Sequence, residues 1–156
     1  MKPLRALAGS LLIAAITAAS LSAQSAGSSP LKQEVESLHR AMVTAFKQDP
    51  AGVSRYYTDD ATIMGGGARS VGREQVSTYW SSSPRDVEWT LEVIELGGDA
   101  QSPWVRGRST LSDAGGRRFA TDYVGILKRG ADGQLRFYID IYTMVGGAVR
   151  TSGAER

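Results

Sequence analysis

From Val87 onward the chain adopts a period of two and keeps it. Val87, Trp89, Leu91 and Val93 alternate with Glu88, Thr90 and Glu92, and apolar side chains at every second position suit a strand with one buried face. At Ile94 and Leu96 the apolar phase flips, which predicts a bulge and a bend in that strand. Gly97-Gly98-Asp99 makes a turn. Further strands are predicted over 104–112, 118–128 and 135–145, separated by turns at 113–116 and 130–133. Long strands joined by such short turns must pair antiparallel.

The first half is written in a helical period. Leu31, Val35, Leu38, Met42, Ala45 and Phe46 recur at spacings of three and four, with Ser29 placed to cap and Pro30 suited to the first turn. The helix stops at Asp49-Pro50, because the residue before a proline is driven out of the helical region. The same pair can start a short second helix carrying Val53, Tyr56 and Tyr57, with Asp49 as its cap. Thr58-Asp59-Asp60 reads as a turn and 61–64 as a short strand entering Gly65-Gly66-Gly67. No Lys-Ser/Thr pair follows those glycines, so they do not make a phosphate-cradling loop and read as a flexible connection. A third helix over 73–82 places Val76, Tyr79 and Trp80 on one face. Helices first and an antiparallel sheet later is an α+β pattern, with the helices covering one face of the sheet.

Ahead of this domain, Lys2 and Arg5 precede an apolar run from Leu7 to Leu21 and the small residue Ala23, the pattern of a secretory signal peptide. The run is shorter than the roughly 20 residues a spanning helix needs, and it contains Ser and Thr. Cleavage after Ala23 gives an exported protein, periplasmic or secreted, without membrane attachment. It comprises a tether over 24–30, one domain over 31–145 and a flexible tail over 146–156. Without Lys2 and Arg5 the balance is 16 basic against 16 acidic residues. No cationic run remains to bind nucleic acid. The absence of cysteine excludes disulfides, thiolate metal sites and a catalytic thiol. One histidine and no clustered carboxylates give no metal-ligand set, and no motif implies a cofactor.

The order of helix, short helix, YYTDDATIM, glycine-rich loop, VGREQVSTYW and long strands ending in DGQLRFYIDIYTM resembles the SnoaL-like, nuclear-transport-factor-2-like superfamily. It is most similar to that superfamily's widespread group of unassigned function. The matching motifs are Tyr57, Asp60 and Ala61 in a turn, Gly72, Arg73 and Glu74 at a helix start, and Asp132, Gly133 and Asp140 around the last strand. Leu135 departs from the pattern, standing where that group carries tryptophan. The resemblance spans 31–144. It implies a cone: a strongly curved sheet whose concave face is closed by the N-terminal helices, leaving a pocket. It also suggests that Asp60 pairs with Arg73.

Small-molecule pockets are mostly apolar with a few placed polar groups. Tyr56, Tyr57, Met64 and Trp80 are candidate pocket wall, together with Trp104, Arg106 and Tyr123 from the strands. Asp140 lies between Tyr138 and Tyr142 on one face of the last strand, with Phe137, Ile139 and Ile141 on the other. Period two separates the faces without saying which is concave. A concave Asp140 among aromatic walls would serve as a general acid or base, and a convex one would suit a dimer face. Asp122 and Tyr123 point oppositely, so one of them faces inward. Trp104, Arg106 and Arg108 share a face, which is either a fork for an acidic ligand or a solvated surface. His39, the single histidine, borders the apolar helix face, where it is either a buried packing residue or an alternative base.

Two functions follow. The favoured one is binding of a small apolar molecule, with the sheet supporting a homodimer. The alternative is an isomerase, cyclase or dehydratase acting on a hydrophobic carbonyl compound, with Asp140 or Asp122 as base and Tyr57 or Tyr123 as donor.

Overall fold

The structure is a computed structural model in which residues 29–145 are described. The expected signal peptide, nearly all of the tether and the tail lie outside the described residues. Helix α1 spans Pro30–Gln48. Ser29 Oγ accepts from the Lys32 backbone N–H at 3.2 Å, and Pro30 sits in the first turn, where its missing N–H costs nothing. The helix buries Val35, His39, Met42, Ala45 and Phe46. Asp49 ends α1 and caps the next element, a 3-10 helix over Pro50–Tyr56, by accepting from Ala51 N–H at 3.3 Å.

Strand β1, Tyr57–Gly65, is longer than the four residues expected. Tyr57 lies opposite Phe137 on the last strand and Thr62 opposite Ile139. The surplus length between them, carrying Asp59 and Asp60, is extruded from the ladder in place of a separate turn. The glycine run is a hairpin, not a flexible connection. Gly65 pairs with Ala68, and Gly66 and Gly67 take φ of 58° and 80°, the left-handed pair that a two-residue hairpin turn demands. The resulting β2, Ala68–Val71, was invisible in the sequence because its four residues show no alternation. Helix α2 follows over Gly72–Ser81.

Four long strands complete the fold: β3 (Val87–Gly98), β4 (Pro103–Asp113), β5 (Arg118–Arg129) and β6 (Leu135–Met144). They pair antiparallel as expected, but β1 joins β6 in parallel, so the six-stranded sheet is mixed, in the order β2-β1-β6-β5-β4-β3. The curved, unclosed sheet and the helices on its concave side form an α+β cone fold. Two bulges help to bend it. In β3, Val93 faces Gly107 while Glu95 faces Arg106, so Ile94 is the extra residue where the apolar phase flipped. In β6, Phe137 faces Leu127 while Ile139 faces Ile126, which makes Tyr138 the extra residue.

The core lies between the concave face and the helices, and includes Val35, Phe46, Val53, Tyr57, Trp89 and Phe137. Glycines let its rings lie close to the sheet. A Cβ on Gly107 would overlap the Tyr123 ring, and one on Gly125 the Phe137 ring. Arg129 of β5 grips Glu34 of α1 with two hydrogen bonds, at 2.5 and 2.8 Å, a fork that fixes the helix across the sheet end. Among the described residues no helix is long and apolar enough to cross a membrane.

Candidate functional site

A cavity of about 240 Å³ opens between the helices and the concave face, walled chiefly by Tyr57, Trp80, Trp89, Tyr123, Asp140 and Tyr142. Residues directly opposite across a ladder share a face. Asp140 stands opposite Gly125, Tyr142 opposite Tyr123, and Met144 opposite Thr121. Phe137 is opposite Leu127 and is also concave. Were Tyr138 paired in the ladder instead of bulged out, strict alternation would send Asp140 to the face opposite Phe137. The bulge brings both to the inside.

Asp140 is half-buried and accepts a hydrogen bond from Tyr57 Oη to Oδ2 at 2.7 Å. Burial raises its pKa from 3.8 to about 6, and the Tyr57 hydrogen bond opposes the rise. The Tyr57 hydroxyl is itself pushed well above its ordinary range, first by burial and then by the Asp140 charge. Trp80 Nε1 acts on Tyr57 in the opposite sense but is buried with no hydrogen-bond partner among the described residues. Tyr79 is also pushed up, chiefly by burial and then by Tyr142 with a smaller push from Asp140, and Tyr123 is pushed up by burial and then by Asp140. The carboxyl is thus the group of this cluster that exchanges a proton near neutral pH, among hydroxyls that stay protonated.

A second polar pair stands behind the wall. His39 Nε2 lies 3.2 Å from Tyr123 Oη, and the imidazole stacks on Phe137 at a centroid distance of 6.1 Å. Only 3 % of His39 is exposed, and burial lowers its pKa to about 4. His39 is therefore neutral and buried, out of reach of the cavity except through Tyr123.

The other expected site residues stand elsewhere. Trp104, Arg106 and Asp122 are on the convex face, since Trp104 pairs with exposed Ile126, Arg106 with exposed Val124, and Asp122 with Arg108. Arg108 Nε donates to Asp122 Oδ1 at 2.8 Å, and this holds the Asp122 carboxyl below its usual range, ionised and in the wrong place for a base in the cavity. Met64 pairs with Ile141, so it too points to the convex side. Tyr56 closes the 3-10 helix beneath the Arg55 guanidinium, 5.8 Å from its ring centre, and is not part of the cavity wall. Asp60 is exposed and pairs with Lys128 at 3.5 Å, while Arg73 pairs with Asp59 at 2.6 Å, not with Asp60. Tyr79, Trp89 and Tyr142 joined the wall unforeseen. Their faces were legible, but not which faces meet. Among the described residues no group of histidines and carboxylates could hold a metal ion.

Residues 38–138 match the family described as SnoaL-like domain. Among curated proteins none matches the sequence. Several solved structures share the fold. A ketosteroid isomerase-like protein from Erwinia carotovora atroseptica is 24 % identical with a TM-score of 0.61, the match covering 74 % of this chain and 96 % of that one. A protein of unknown function with a cystatin-like fold from Nostoc punctiforme is 11 % identical with a TM-score of 0.66, over 76 % and 94 %. ActVI-ORFA from Streptomyces coelicolor is 16 % identical with a TM-score of 0.58, over 73 % and 96 %. With its residues 38–138 matched and the cone fold in place, the chain belongs to the SnoaL-like domain family.

Proposed function

We propose that the concave cavity binds a small hydrophobic carbonyl compound and that Asp140 moves a proton on it, an activity of the isomerase, cyclase or dehydratase kind. The observation that carries this reading is the position of Asp140: a carboxyl among aromatic walls, hydrogen-bonded by Tyr57, with its pKa raised to about 6. A group that changes charge near the working pH is suited to both taking and returning a proton. One solved structure of similar fold is described as ketosteroid isomerase-like, which agrees with proton transfer as the act. The cavity, at about 240 Å³, lies just below the roughly 300–1,000 Å³ of common small-molecule sites, and so suits compounds of one or two rings.

The test is hydrogen–deuterium exchange in D2O at the carbon beside the carbonyl of a two-ring ketone such as 1-tetralone. In the step, the Asp140 carboxylate takes the α proton, the electron pair moves onto the carbonyl oxygen, and a deuteron acquired from solvent returns to carbon. Asp140→Asn is expected to slow exchange by about 10²- to 10⁴-fold while leaving ketone binding intact. Ketone binding with no enzyme-dependent exchange in the unmodified protein would reduce the activity to binding alone.

Export and self-association complete the proposal. The n-region and apolar run support export, tested by the N-terminal sequence of the protein recovered outside the cytoplasm. The convex face exposes Trp104, Val124, Ile126 and Ile141 between the Arg106–Glu95 and Arg108–Asp122 pairs, which supports a homodimer through the sheet, tested by light scattering.

A further inference from the structure

His39 and Tyr123 form a buried pair that the proton-transfer step does not use. Tyr123 lines the cavity, and its Oη lies 3.2 Å from His39 Nε2, the hydroxyl's only hydrogen bond among the described residues. His39 Nδ1 is buried and has no hydrogen-bond partner among the described residues. That asymmetry selects the tautomer. If Tyr123 donated to Nε2, the imidazole proton would sit on Nδ1, as a buried N–H with no acceptor, an arrangement folded proteins rarely contain. With the proton on Nε2, the imidazole donates to Tyr123 Oη and leaves only a lone pair unmet at Nδ1. The tyrosine oxygen then accepts from His39, and its own hydrogen is left free to donate to an acceptor other than His39.

We propose that His39 is a positioning residue that turns the Tyr123 hydroxyl into a fixed hydrogen-bond donor, so that the cavity selects ligands presenting an acceptor oxygen over hydrocarbons of the same shape. The inference rests on the reading of the cavity as a ligand site and adds to it the residue pair that sets its selectivity. Several features hold the pair in this role. The imidazole is stacked on Phe137 and clamped inside α1, so it has little freedom to rotate. Gly107 lies under the Tyr123 ring and fixes how deep it sits. Burial keeps His39 neutral, and the nearby Asp140 charge disfavours loss of the Tyr123 proton, so both hydrogens of the relay stay in place at neutral pH.

The experiment compares 1-tetralone with tetralin, which has the same two rings without the oxygen, using quenching of tryptophan fluorescence, since Trp80 and Trp89 line the cavity. One neutral hydrogen bond is worth about 1 kcal/mol net, so the unmodified protein is expected to prefer the ketone roughly fivefold. Tyr123→Phe and His39→Leu should both erase the preference. His39→Gln, whose amide can still donate to Tyr123 Oη, should keep it, which a purely structural role for His39 would not require. Asp140→Asn should keep the preference while losing exchange, so failure of the proton-transfer reading and failure of this one are separate outcomes. The 15N shifts of the unmodified protein's imidazole report which nitrogen carries the proton, even where His39→Leu does not fold. Protonation at Nδ1, a preference unchanged in folded His39→Leu, or no ketone preference in the unmodified protein, including no binding of either probe, would overturn the proposal.

Discussion

At the scale of single residues, Asp140 is poised between two opposing effects. Burial favours its protonated form and the Tyr57 hydroxyl favours its charge. Hydrogen bonds to charged groups are worth about 1.5–3 kcal/mol, which corresponds to roughly one to two pKa units. Tyr57→Phe should therefore raise the Asp140 pKa above its present value of about 6 by about that much. The acid limb of activity, where protonation of the Asp140 base stops the reaction, should move to higher pH by the same amount, and a pH–rate profile of ketone exchange checks this. An unmoved profile would mean that Tyr57 does not hold the carboxylate in the working enzyme. Asp122, by contrast, is tied to Arg108 on the other face and stays ionised. Both aspartates were visible in the sequence as strand residues near tyrosines, but local pattern did not say which of them faces inward. Their difference is one of partners far away in the chain.

At the scale of elements, the two bulges do different jobs. The one at Ile94 leaves a trace in the sequence, because the apolar phase changes there. The one at Tyr138 does not, because Phe137, Tyr138, Ile139 and Ile141 form a nearly continuous apolar run in which a shift of one is silent. Deleting Tyr138 would restore regular pairing while keeping both Phe137 and Asp140 on the concave side. It would also remove the Tyr138 ring from under Lys128, which sits 3.1 Å from its centre, and straighten β6. The deletion is expected to fold with a cavity of altered shape, so ketone affinity should fall while the Asp140 pKa stays raised; titration of the Asp140 carboxyl by NMR checks this. A smaller perturbation is Gly107→Ala. The added methyl overlaps the Tyr123 ring and the Glu92 carbonyl, and overpacking of this kind costs about 1–3 kcal/mol. Urea unfolding should show that loss, and the ketone preference set by Tyr123 should weaken with it.

At the scale of the whole molecule, two buried groups make opposite demands on pH. His39 has a folded pKa of about 4 against 6.5 ordinarily, so the unfolded chain binds its proton more readily. Its contribution to stability is present above pH 6.5 and is lost as pH falls towards 4. Asp140 has a folded pKa of about 6 against 3.8, so its contribution is present below pH 3.8 and is lost as pH rises through 6. Each shift corresponds to about 3 kcal/mol at most, and between pH 6 and 4 the two nearly cancel. Unmodified protein should show a flat stability in that window by urea unfolding. Asp140→Asn should be more stable at pH 7 by about 1–3 kcal/mol and should then lose stability as the solution is acidified, because His39 is no longer offset. A flat profile for Asp140→Asn would show that His39 is not depressed.

What the amino-acid sequence determined by itself is what depends on neighbours in the chain. The apolar spacing of α1, the caps at Ser29 and Asp49, the turns between the long strands and the bulge at Ile94 all follow from local geometry and local patterning. The hairpin at Gly66-Gly67 was also local in origin, and its turn chemistry was present in the sequence though read as slack. Only the tertiary structure decided the inward turn of Asp140, the parallel union of β1 with β6 and the meeting of His39 with Tyr123. The reason is that a period of two separates the faces of a strand without naming the one the helices will cover. That choice depends on curvature, and on a register set by partners 83 and 84 residues apart, Tyr57 with Asp140 and His39 with Tyr123.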